Sequence, residues 1–376
     1  MLNRSHLTRP LLALAALALG SVPAAAASFT PLGDLTGDDF YSFAYALSGD
    51  GTTAVGDSHS GNGLEAFRWA GSMTGIGDLP LGIFESSARG VSGNGGIVVG
   101  IGDGATGTQA FRYDANVAVM TGLTSLSPGG TSAAYAVSGD GLHTVGSSDS
   151  ALGVQAVSWL GTGAPVALGD LTGGAFRSQA LAVSDDGLTI VGDSDSTNGV
   201  EAFLWTGVMT GLSDLAGGAF DSQALGVSPD GTLVVGRGES GSGDEAFLWQ
   251  SGPGMVGLGD LAGGIFESVA YDVTNGGVIV GSSASTAGPE AFIWVGGTMY
   301  SLLDVLVANG LATQVAGWTL SEARAISDDG LTIAGWGVNP DGDTEGWITT
   351  IGVIPEPSTG LLLGVGLALL ARRRSA

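Results

Sequence analysis

The chain has 376 residues, 68 of them glycine, with no cysteine and no lysine; 36 acidic residues against 11 basic ones give a formal net charge of −25. Disulfide frameworks, cysteine metal sites and lysine chemistry are excluded, so any metal would be held by oxygen. The acidity argues against nucleic acid and anionic membrane surfaces as partners, because both need a cationic face.

The first 27 residues read as a secretory signal helix, with Arg4 and Arg9 in a positive start, an apolar stretch from Leu11 to Leu19, and Ala25-Ala26-Ala27 as a small-residue cleavage site marked by Ala25 and Ala27. Removal by signal peptidase leaves a mature chain from about Ser28. An exported chain without cysteine must be held by its packed core or by bound ions. Between Ser28 and Ile354 six arginines face thirty-five acidic residues, a net charge of −29. That charge favours solubility and resists self-association outside the cell, and divalent-cation capture is its functional alternative.

From residue 28 to 352 the chain is a repeat. Seven segments fit Ala-x-x-Val-Ser, starting at Ala44, Ala88, Ala134, Ala180, Ala224, Ala270 and Ala323. Each is followed by a turn such as "GDG" or "DDG" and an apolar stretch closing on glycine, which predicts a β-hairpin. After a polar loop comes a third strand of the type "EAFLW" (201–205), and a fourth leads through "GDL"-like residues into the next repeat. No sustained helical period occurs outside the two ends.

Four short strands in about 45 residues make one β-propeller blade, so the predicted fold is an all-β, seven-bladed propeller. The mature chain opens on a fourth strand (Phe29 to Leu35) and closes on a third (Gly346 to Ile351), so its start could complete the last blade and hide the sheet edges. An open β-solenoid, which needs polar caps, is the alternative. The alanine opening each first strand fits a crowded inner strand near the axis, and Phe67, Phe203, Phe247 and Phe292, each with a tryptophan two residues on, would pack between neighbours.

The tail, 353–376, holds Pro355-Glu356-Pro357, an apolar segment within 358–371, and Arg372-Arg373-Arg374. Twelve apolar residues in a helix span about 18 Å, short of the roughly 30 Å hydrocarbon core, so this is a short transmembrane helix and a marginal anchor. The three arginines act as a cytoplasmic stop and put the repeats outside. The prolines keep the outer end extended for an enzyme to reach.

Candidate chemistry is sparse. His59 and His143 occupy nonequivalent places and no serine near either forms a nucleophile elbow. "DSHSGNG" (57–63), "DSDSTNG" (193–199) and "NPDGDTEG" (339–346) resemble calcium loops in spacing, which makes Asp57, Asp193, Asp195, Asp341 and Asp343 weak calcium candidates, although none has the bidentate Glu of an EF-hand. No catalytic or cofactor-binding residue is expected. Glu65 and its counterparts at 109, 155, 201, 245, 290 and 345 are expected to tie the third strand to a neighbouring loop, because glutamine replaces glutamate at two of them.

The repeated "EAFLW", "GDL" and "VS-DG-VVG" segments resemble the bacterial extracellular HAF-repeat family, with Glu or Gln in place of its histidine. The ordered tail is similar to a PEP-CTERM sorting signal. That resemblance implies export by a bacterium of the Gram-negative type, transient anchoring in the inner membrane, and cleavage near the triplet by an exosortase-like enzyme. The product would stand at the cell surface or in the extracellular matrix. The expected function is that of a non-enzymatic surface or matrix protein, with a propeller binding carbohydrate or calcium, and a hydrolase or lyase acting on extracellular polysaccharide, as alternatives. The last requires Asp, Glu, Arg or His clustered at the ring mouth.

Overall fold

The computed structural model describes residues 26–37 and 39–352. Over that range the protein is all-β and propeller-like, built of antiparallel four-stranded units. Five are separate sheets, and an eight-stranded sheet contains two more, joined by the single parallel bridge between Val200 and Asp221. We number them 1 to 7 in chain order: 42–75, 81–122, 132–169, 173–211, 217–257, 263–301 and 319–350. The fourth strand of unit 7 is Ser28–Pro31, running antiparallel to Thr344–Thr350 with Ser28 opposite Thr350 and Pro31 opposite Trp347. The start of the repeat region therefore completes its end.

Within a unit, the turn between the first two strands follows from four residue types. In unit 1 (Ser42–Leu47 and Ala54–Ser60), Ser48 Oγ donates to Asp50 Oδ1 at 2.6 Å and accepts from Thr53 N at 2.9 Å. Gly51 N closes the turn on Ser48 O at 2.8 Å with φ of 71°, a conformation that glycine adopts without a Cβ penalty. The turns also touch one another. Asp50 N donates to Gly93 O, Gly93 N to Gly139 O, Asp140 N to Asp185 O and Asp185 N to Pro229 O; from the last unit back to the first, Asp328 N donates to Gly49 O at 3.0 Å. Units 5 and 6 are tied by Asp230 N to Asn275 Oδ1, and units 6 and 7 by Ile326 N to Asp272 Oδ2, both at 2.9 Å.

The core lies between units. Across each sheet runs a row of alanine, glycine and a large side chain, such as Ala180, Gly192 and Phe203 in unit 4. Gly192 is required because a Cβ there would stand 1.9 Å from Gln179 O and 3.0 Å from the Phe203 ring. Phe203 covers that bare backbone and is wholly buried with Ala180, Ile190, and Val145 and Ala156 of unit 3. Fully burying such a ring contributes about 1.5–3 kcal/mol. Phe67, Phe111, Phe247 and Phe292 are equally buried, as expected for interfacial packing, and Trp347 takes the position in unit 7. Unit 3 has Val157 instead, and there Trp159 is wholly buried beside it, its Nε1 donating to Thr124 O at 2.9 Å.

A buried serine joins most neighbours. Ser178 Oγ accepts from Ala156 N of unit 3 at 3.0 Å and donates to Gly169 O at 2.7 Å. Ser42, Ser86, Ser132, Ser222 and Ser268 do the same at five further junctions. The remaining junction, units 6 to 7, is filled by the one structural surprise. The segment between units 6 and 7 forms helix α1 (Leu302–Leu306), N-capped by Ser301, and a π-helical turn (Val307–Leu311). Leu302, Val305, Leu306 and Leu311 are buried against Trp318 and Phe29, two rings that meet edge-on at 5.1 Å. A helix this short carries too few apolar positions to show a period, which is why the sequence reading found none here.

Two substitutions test this account. Gly192→Ala overpacks a wholly buried row and is expected to destabilise by about 1–3 kcal/mol. Ser178→Ala strands a buried N–H and is expected to destabilise by a similar amount, about 1–3 kcal/mol. Both are read from the denaturant midpoint, and midpoints equal to the parent protein would contradict the packing described.

Candidate functional site

Just after its recurring alanine, the first strand of every unit carries one residue that its partner strand does not match. In unit 1 the register passes from Ala44 opposite Gly56 to Ala46 opposite Val55, leaving Tyr45 unpaired. The same slip isolates Arg89, Tyr135, Leu181, Leu225, Tyr271 and Arg324. A β-bulge re-aims the side chain it adds. All seven line a space of about 190 Å³ on the side of the turns and one of about 700 Å³ on the other, forming the waist between them. The larger volume falls in the range of small-molecule sites. The sequence reading set the alanines near the axis; they are wholly buried between units, and the residue after each reaches the cavity instead.

The waist has two chemically different arcs. The Arg89 guanidinium lies 4.2 Å from the Tyr45 ring centre, and that of Arg324 lies 3.9 Å from Tyr271 and 5.8 Å from Tyr45. Rings and cations thus alternate through Tyr271, Arg324, Tyr45 and Arg89, each pairing favourable by the ring quadrupole. Leu181 and Leu225 form the apolar arc. Three of the six arginines between Ser28 and Ile354 therefore border the larger space, Arg237 being the third.

These arginines differ in what they hold. Arg237 has Gln223 Oε1 at 3.2 Å, Asp244 at 3.5 Å and Asp221 at 3.7 Å. Arg324 donates to Glu322 Oε2 at 3.1 Å, which also accepts from Trp336 Nε1. Arg89 makes neither a hydrogen bond nor an ion pair among the described residues, and its Nε is buried without a partner. Burial pushes the Tyr45 and Tyr271 hydroxyls up to about 12, so both remain donors at neutral pH. Burial likewise raises the Asp57 carboxyl, opposed by its bond from Ser87 Oγ at 2.5 Å and by the nearby charge of Arg89.

On the turn side the cavity is acidic. Asp272 is pushed up to about 7 by burial, against backbone N–H donors from Ile326 and Val273. Asp185 rises to about 6 through lost hydration and then through Asp328, Asp186 and Asp140. Lost hydration raises Asp328 too, with Asp329 and Asp50 adding to it.

The calcium candidates are scattered. Asp57 and Asp193 stand on second strands, Ala54–Ser60 and Ile190–Ser196, each 2% exposed, where the sequence reading had glycine-bearing loops. Asp193 and Asp195 share Arg177 at 2.8 and 3.3 Å. Asp341 and Asp343 lie in a turn, their N–H groups donating to Asn339 Oδ1. Among the described residues no three His, Asp or Glu side chains converge on a metal-sized point. His59 is on a strand too, stacked on Tyr41 at 4.6 Å, and His143 opens a second strand in another unit. Glu65, Glu201 and Glu245 accept from Gly77, Ser213 and Gly259 N at 2.9–3.1 Å, the loop tie anticipated for them. Ala25, Pro355, Glu356, Pro357, Arg372, Arg373, Arg374 and the apolar segment 358–371 lie outside the described residues, and no described helix is long and apolar enough to cross a membrane.

Residues 353–375 match the PEP-CTERM protein-sorting motif. The motif implies an exported protein, transiently anchored in the membrane and processed by an exosortase. No curated protein matches the chain. Among solved structures it is similar to acylaminoacyl peptidase in complex with Z-Gly-Gly-Phe-chloromethyl ketone, at 10% identity over 86% of this chain and 53% of that one, TM-score 0.53. TolB from Acinetobacter baumannii aligns at 16% identity over 56% and 52%, TM-score 0.41, and the Dos1 propeller at 12% over 85% and 81%, TM-score 0.43. The chain spans about half the length of the first two, and the likeness to the peptidase is one of fold alone.

The acidic side gives a pH test. A carboxyl whose folded pKa is raised binds its proton more tightly folded than unfolded, so stability is fullest below the unfolded pKa and falls as pH rises through the folded one. The melting temperature is expected to decline between about pH 4 and pH 7, and Asp272→Asn to flatten that decline. A parallel profile for the variant would refute the burial ascribed to Asp272.

Proposed function

We propose that this is a non-catalytic, exported repeat protein whose seven HAF-like units, within residues 28–352, close as a seven-bladed β-propeller. Signal peptidase would remove residues 1–27, and an exosortase-like enzyme would cut near Pro355-Glu356-Pro357 after the segment 358–371 has held the chain in the membrane. The product stands at the cell surface or in the extracellular matrix. The observation that carries this reading is the sorting motif at 353–375, directly behind a β-domain completed by its own first strand.

Closure is supported by the turn contacts, which pass from unit to unit and return from Asp328 to Gly49, and by the first strand of unit 7 lying against that of unit 1. An open solenoid would leave those two units far apart. The non-catalytic reading is supported by how the polar groups are used. Of the two acids that border the larger space, Asp244 is engaged with Arg237 and Glu267 is not engaged with arginine among the described residues, while the serines that recur at the junctions bond the main chain. Their hydrogen bonds hold units together.

Mass spectrometry of the extracellular protein tests the processing. The expected mature form begins near Ser28 and lacks Arg372 to Ala376; an intact C-terminus on the extracellular protein would overturn it.

A further inference from the structure

We propose that the larger cavity is a binding site for an organic carboxylate with an apolar body, anchored on Arg89 and laid against the Leu181–Leu225 arc. It deepens the reading of the ring as a non-catalytic module by giving that module a ligand class.

Three observations carry it. First, Arg89 presents its guanidinium at the cavity with no hydrogen-bond or ion-pair partner among the described residues and with Nε buried and unsatisfied, in a region where acidic residues outnumber arginines thirty-five to six. A guanidinium fork binds a carboxylate through two parallel N–H donors, and leaving those donors empty in a cavity is unfavourable. Second, the neighbouring ring fixes its position: with the Tyr45 ring 4.2 Å away, the guanidinium is held in place by a cation–π contact before any ligand arrives. Pre-organisation of this kind lowers the ordering cost of binding. Third, the arc beyond Arg89 is Tyr135, Leu181 and Leu225, with Ile101 and Val269 bordering the same space beside Gln223, Arg237, Asp244 and Glu267, so a ligand laid from Arg89 along the Leu181–Leu225 arc meets apolar side chains.

The same geometry selects against a neutral sugar. Sugars stack on open aromatic faces, and guanidiniums already lie over Tyr45 and Tyr271. Of the acids bordering this cavity, Asp244 is matched by Arg237 and Glu267 makes no ion pair among the described residues, while Asp57 feels the charge of Arg89 without bonding to it, so the donors of Arg89 remain open.

Isothermal titration of the processed, exported protein with three probes tests the assignment. Octanoate carries both features, 1-octanol only the apolar body, and galacturonate only the carboxylate on a polar body. Octanoate is expected to bind at least about tenfold more tightly than either of the others. Arg89→Gln is expected to weaken octanoate by about tenfold or more, and Arg89→Lys, which keeps the charge without the fork, to fall between. The pair Leu181→Asn and Leu225→Asn, made together, is expected to weaken octanoate without creating galacturonate binding. Equal binding of octanol would make the cavity merely apolar, and equal or tighter binding of galacturonate would make it a site for acidic sugars. Either result overturns the assignment while leaving a binding module in place. Absence of octanoate binding at millimolar concentration overturns it and favours a scaffold. Should Arg89→Gln fail to fold, the three probes on the parent protein and the leucine pair still decide the question.

Discussion

The structure depends on one backbone slip repeated in every unit. An extra residue in the first strand drives the preceding carbonyl over the facing residue of the second strand, where only glycine leaves room: a Cβ at Gly56, Gly146, Gly192 or Gly236 would fall within 2 Å of that oxygen. The bare glycine then offers a flat floor on which a large third-strand side chain can lie. Packing between units and the lining of the cavity therefore share a cause. The slip that makes a seat for Phe203 is also what turns Leu181 inward, so a substitution that abolished the bulge would disturb core and cavity together.

Charge is distributed with the same economy. Half of the arginines between residues 28 and 354 border a single internal space, in a segment where acidic residues far outnumber them. Arg89 and Arg324 border both sides of the waist; Asp185, Asp272 and Asp328 join them on the turn side, and Arg237, Asp244 and Glu267 on the other.

Much of this was legible in the sequence wherever a residue's role is dictated by its own neighbours. The seven hairpins, the interfacial phenylalanines and the Glu65-type loop tie recur because each junction poses the same packing problem. The cavity was hidden for the opposite reason. Tyr45, Arg89, Tyr135, Leu181, Leu225, Tyr271 and Arg324 share no chemistry, since they face a common space in place of a fixed partner; variation at one position of an otherwise uniform repeat was the signal to follow. The bridging serines escaped because serine is abundant, although its constant place two residues before each alanine distinguishes them. Asp57 and Asp193 were read as loop residues on composition alone; the strand ladder overrides the turn preference of Asp and Ser when both flanking strands are paired.

The pairing of Ser28 with Thr350 has a consequence for how the molecule is held. Both ends of the repeat region leave from neighbouring points on the two outermost strands of unit 7, the side of that sheet farthest from the cavity. A tether on either end would hold the domain by the outer edge of unit 7, away from the cavity.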